Sequence, residues 1–181
     1  MSLQTYAVRR RTEAPAKQAL EPIRQGPSMD ALRSGAAAPT RELLGSRVDL
    51  PGAIQAKMEN AFGADLSGVQ LYESQAVADV GAEAITQGNK IGFAPGRLDF
   101  VSQSGQALLG HELSHVVGQA RGEVSGSGFL NDHALEARAD REGAMAAAGE
   151  QIWSGPVTGS LSNVSAAPAA GPMQARKAKS K

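Results

Sequence analysis

The residues able to build a hydrophobic core are confined to the middle of this chain. Of its 181 residues, the first 48 hold few large apolar side chains and repeat Pro, Gly, Ala and Arg without a sustained period. Residues 154–181 are mostly Gly, Ser, Ala and Pro, with a basic run RKAKSK. Such compositions bury too little apolar surface to offset the entropy of ordering a backbone. The expected organisation is a disordered or adaptor arm over 1–48, one folded body over 49–153, and a flexible basic tail over 154–181.

Charge follows the same division. Residues 1–48 carry a net +4, residues 49–150 a net −8 and residues 151–181 a net +4, which together give a formal net charge of zero. Basic arms beside an acidic body can lie against it, or against an acidic partner, within a Debye length of ~8 Å. Nucleic-acid binding is not favoured, because the basic tracts are short and lack interleaved aromatics. The chain has no cysteine, which excludes a disulfide framework and a thiolate nucleophile. No apolar run follows Arg9, Arg10 and Arg11, so no secretory signal is read, and no stretch reaches the ~20 apolar residues of a bilayer span. These features point to a soluble protein made in the cytoplasm.

Within the body, Pro51 suits a helix start, and Ala53, Ile54, Met58, Ala61 and Phe62 recur at helical spacing up to Gly63. Val69, Leu71 and Tyr72 read as a strand, and Ser74 as the cap of a short helix through Val77 and Val80. Ile85 and Thr86, a turn at Gly88 and Asn89, then Ile91 and Phe93 read as a hairpin. Two further helices follow. Ser102 or Ser104 can cap the first, a short helix closed by Gly118 and Gly122, with Leu109, Leu113, Val116 and Val117 facing inward. Asn131 or Asp132 can cap the second, which runs through the alanine-rich stretch 134–148. The order predicts a small α+β domain with an antiparallel sheet and two helices that carry the chemistry.

The chemistry lies in the string HELSH. On a helix His111 and His115 share a face, so both imidazoles can reach one metal ion, with Glu112 aimed at the ion's open position and the group facing a cleft. A catalytic zinc takes three protein ligands and a water. Glu136 on the second helix is the expected third ligand, in preference to His133. Asp140, one turn further on, is placed to accept the outer ring hydrogen of a liganding histidine. Glu112 would act as general base. Tyr72, His133, Arg138 and Arg141 are candidates for the oxyanion or for substrate.

The motif pair HExxH…ExxxD resembles the gluzincin branch of zinc metallopeptidases. Over residues 50–149, the succession MENAFGADLSGVQLYES, QGNKIGFAPG, GQALLGHELSHVVGQ and ALEARAD resembles a family of compact bacterial zincin-type metallopeptidase domains. These occur in toxin-like proteins and among the cargo of extracellular contractile injection systems. Two positions depart from that family: Tyr72, where it carries histidine, and Gly118, where it carries glutamine. The resemblance implies a minimal zincin fold, a Zn2+ cofactor, a peptide or protein substrate, injection-system components as partners, and export or delivery by such a system. It also implies that Ile91, Gly92 and Phe93 form an edge strand for an extended substrate. The alternative is a noncatalytic cargo or adaptor module that keeps the metal for stability.

Overall fold

The computed structural model describes residues 45–124, 129–152 and 172–178. The arms over 1–44 and 153–171, including Trp153, lie outside the described residues. Six strands and four helices are described: β1 (Ser46–Val48), α1 (Gly52–Phe62), β2 (Gln70–Glu73), α2 (Gln75–Asp79), β3 (Ala82–Gln87), β4 (Lys90–Phe93), α3 (Gln103–Ala120), β5 (Phe129–Leu130), α4 (His133–Ala148) and β6 (Met173–Lys177). The architecture is α+β, as expected, and no helix among the described residues is long and apolar enough to cross a membrane.

Local chemistry accounts for most boundaries. Pro51 takes the N-cap of α1, and Gly63, at φ 60°, closes it in the left-handed conformation that a side chain resists. Ser102 Oγ accepts from the Gly105 amide at 3.0 Å and opens α3. Asp132 caps α4 by accepting from the amides of Ala134 and Leu135. Helix α3 is not short: it runs 18 residues, through Gly118. All eleven residues from Leu108 to Gly118 are buried, so this helix is wrapped on every side and tertiary contact holds it past the glycine.

The strand order is β1-β2-β4-β3-β6-β5. The sheet is mixed and not the antiparallel one expected: β2–β4 and β5–β6 are parallel and the remaining pairs antiparallel. Its α3 side holds the main core, where Leu71, Ala84, Ile91 and Phe93 meet Leu109, Leu113 and Val116. Its other side packs Ile85, Met173 and Ala175 against Val77 of α2.

Three expectations are corrected here. Ile91, Gly92 and Phe93 are not an edge strand: β4 lies between β2 and β3, its backbone is paired on both sides, and Ile91 and Phe93 are fully buried. Nor are residues 154–181 wholly a flexible tail. Within them Met173–Lys177 forms β6, inserted between β3 and β5, where Met173 and Gln174 are almost completely buried. The chain from residue 49 onward was also too late a start for the body, since Ser46–Val48 pairs with β2. In both added strands, backbone pairing compensates for side chains too few or too polar to mark a strand by pattern.

Candidate metal centre

Helix α3 presents His111, Glu112 and His115, and α4 crosses it with Glu136 and Asp140. What permits so close a crossing is a pair of glycines. A Cβ on Gly110 would stand 2.9 Å from Gly143 Cα, and one on Gly143 would stand 2.6 Å from the His111 amide nitrogen, so neither helix tolerates a side chain there. Ser114 Oγ donates to Glu142 at 2.6 Å, and Arg138 bonds both Glu142 and Glu123, which fixes the helix pair in register.

The result is a convergence of three donors. His111 Nε2 and His115 Nε2 lie 3.2 Å apart; His111 Nε2 lies 3.3 Å from Glu136 Oε2 and His115 Nε2 lies 3.3 Å from Glu136 Oε1. A tetrahedral ion with ligands at ~2.0–2.1 Å has donors separated by about 3.3–3.4 Å. The contacts are close to that edge, and with one atom from each residue the three donors all lie within 4.8 Å of one another, so these residues fit a zinc-sized cation. The histidines are 1% and 3% exposed, whereas Glu136 is only partly covered.

Electrostatics point the same way. Burial works to raise the Glu136 carboxyl, but hydrogen bonds from His111 and His115 outweigh it and hold the group down at about 2. Burial also works to lower His111, yet Glu136 and the charge of Glu112 raise it overall. Two imidazole nitrogens and a carboxylate this close require positive charge between them, supplied by protons or by a metal ion.

Glu112 is fully buried, and burial pushes its carboxyl up, against the pull of His111 and His115. Thr86 Oγ1, on β3, donates to Glu112 Oε2 at 2.6 Å. Glu112 Oε1 has no protein partner among the described residues. A buried carboxylate oxygen left open in this way is suited to a water or a substrate atom.

Asp140 Oδ1 lies 3.0 Å from His111 Nδ1, the orienting contact that the sequence anticipates. Arg176 from β6 intrudes on it: its Nη1 lies 2.8 Å from Asp140 Oδ1 and 3.0 Å from His111 Nδ1. The two contacts demand opposite tautomers. Asp140 can only accept, which places the ring proton on Nδ1 and leaves Nε2 bare for a metal. Arg176 can only donate, which would place the proton on Nε2.

The remaining candidates are not brought together. Tyr72 is on β2, two strands from β3, and its hydroxyl donates to Gln70. His133 is exposed at the start of α4, Arg141 is exposed, and Arg138 is engaged with Glu123 and Glu142. An opening of about 280 Å³ is lined by Glu83, Arg97, Asp99, Ser102 and Arg176, at the N-terminal end of α3. Thr86, Gln174 and Arg176 are neighbours of the centre that the sequence did not single out.

No curated protein and no solved structure gives a significant match to the chain. Residues 49–123 match the family model of the eCIS core domain, the core domain of extracellular contractile injection systems. The matched stretch covers α1 through α3 with His111, Glu112 and His115, and stops before Glu136, Asp140 and β6. By this similarity the chain is associated with contractile injection systems.

Proposed function

We propose that the chain is an injection-system-associated module built around a zinc ion held by His111, His115 and Glu136, and that this centre hydrolyses peptide bonds. The observation that carries the reading is the Glu112 carboxylate, buried beside the three donors with one oxygen bonded to Thr86 and the other open. A centre kept for stability alone needs ligands and no buried fourth acid.

Zinc bound there would supply Lewis acidity toward a carbonyl and make an adjacent water more acidic. Glu112 Oε1 would take that water's proton and return it to the leaving nitrogen, while Thr86 holds Oε2 and fixes the carboxylate's orientation. Asp140 would keep the His111 ring turned with Nε2 inward.

A second reading is favoured by the domain match and by burial of the histidines: a cargo or adaptor module in which the ion serves folding. Metal content and cleavage of a broad peptide library, measured on the unaltered chain and on Glu112→Gln, separate the two. The peptidase reading expects one zinc per chain in both forms and cleavage only in the unaltered one. Zinc in both forms with cleavage in neither favours the structural module. No zinc in either overturns both.

A further inference from the structure

Strand β6 does not extend the sheet at a free edge; it fills a slot. Its residues pair antiparallel with β3 over Ala82 to Gln87, and parallel with β5 at Phe129 and Leu130. The β3 wall of that slot carries Thr86, the residue bonded to Glu112, and Thr86 is the register partner of Gln174. Side chains alternate along β6. Met173 and Ala175 turn to the α2 side of the sheet. Gln174 and Arg176 turn to the α3 side, where Gln174 accepts from Gln119 and Arg176 reaches Asp140, Glu83 and His111.

We propose that the slot between β3 and β5 is a peptide-receiving site, and that Met173–Lys177 is its resident occupant, lying where an extended substrate must lie to reach the centre. The occupant defines the chemistry that fits: an extended segment, antiparallel to β3, with a small or flexible apolar residue facing α2 and a basic residue facing Glu83 and Asp140. Backbone hydrogen bonds give such a segment affinity, and the alternate side chains give it selectivity. The resident strand also sets Arg176 against His111 Nδ1, in competition with Asp140, so its departure would both open the slot and leave Asp140 alone to orient the ligand. The inference rests on the peptidase reading for the fate of the bound peptide, but not for its binding.

The test uses the full chain with Ile85→Cys, Ala175→Cys and Arg176→Glu. Ile85 and Ala175 are register partners, and the chain has no other cysteine, so oxidation cross-links β6 to β3 and reduction frees it. The Arg176→Glu change sets an acid against Glu83 and Asp140 and loosens the resident strand. The probe is a fluorescein-labelled peptide of sequence PMQARKA, residues 172–178. Anisotropy should show at least tenfold tighter binding to the reduced than to the oxidised chain, and tenfold weaker binding when the peptide's arginine is replaced by glutamate. Equal binding in both redox states, or none in either, overturns the proposal. Hydrogen exchange on the unaltered chain provides a check free of substitutions. Amides of 173–177 should exchange at least tenfold faster than those of 111–117; exchange at a common rate would make β6 part of the cooperative core and overturn it. Peptide binding without library cleavage would retain this site and remove the peptidase reading; the converse would do the reverse.

Discussion

Thr86 Oγ1 donates a 2.6 Å hydrogen bond to Glu112 Oε2, joining the sheet to the one fully buried acid of the central helix. Replacement by valine keeps the shape and removes the donor. Thr86→Val should cost about 1–3 kcal/mol of stability, read by urea unfolding, because both Glu112 oxygens are then buried without a protein donor. Zinc content should be unchanged, any peptidase rate should fall at least tenfold, and Thr86→Ser should restore both. Unaltered stability in Thr86→Val would mean that the bond holds nothing in place.

Gly143→Ala should be severe for so small a change. The added methyl would meet the backbone of α3 at Ala107 and His111, and only separation of the helices relieves it. The expected loss is about 1–3 kcal/mol by the usual cost of overpacking, together with at least tenfold weaker zinc binding by competition with a chromophoric chelator. Ala146→Ser, a neighbouring change on α4, serves as a control for general loss of stability.

Zinc should stabilise the chain by mass action, about 2.7 kcal/mol when the free ion is at 100 times its dissociation constant. Calorimetry should show the corresponding rise in melting temperature, and a chelator should reverse it. His115→Ala and Glu136→Ala should each abolish the rise, whereas Asp140→Asn should leave it in place at about tenfold to 100-fold lower affinity. A full rise in Glu136→Ala would remove this residue from the ligand set.

The metal-free chain should show two opposed pH effects. Glu136 is held at about 2, below its ordinary 4.5, so the stability it contributes is present above pH ~4.5 and is lost as pH falls toward 2. That loss is on the order of 2 kcal/mol once discounted for the group's partial exposure, and Glu136→Gln should flatten the acid limb. Glu112 is shifted the other way. Its contribution is present below 4.5 and is lost as pH rises through its raised value, so Glu112→Gln should raise the melting temperature of the metal-free chain at pH 7. A lower melting temperature in Glu112→Gln would show that His111 and His115 stabilise the carboxylate more than burial penalises it.

The donor triangle was legible in the sequence because its rules are local. A four-residue spacing puts His111 and His115 on one face, and caps at Ser102 and Asp132 announce the two helices. Glu136 and Asp140 follow from a second helical spacing. The hairpin was legible too, through Gly88 and Asn89. Strand order was not. Ile91, Gly92 and Phe93 look equally like an edge or a central strand, because side-chain alternation does not say who the neighbours are. Strand β6 was hidden for a different reason: MQARK is polar and basic, and its burial depends on Gln119, Glu83 and Asp140, residues far away in sequence. Thr86 was read correctly as a strand residue, but its bond to Glu112 exists only once β3 lies over α3.

The order of elements along the chain has a consequence for how the centre would acquire its ion. His111, His115, Glu136 and Asp140 all emerge from the ribosome before residues 173–177 do. At ~5–20 residues per second, the delay between Glu136 and the first residue of β6 is about 2–7 s. During that interval nascent α3 and α4 can meet with their coordinating atoms still accessible to cytosolic zinc. Once β6 has paired with β3 and set Arg176 against His111 the centre would be harder to reach, so an ion captured early would be retained kinetically, and a domain folded without one would be slow to load.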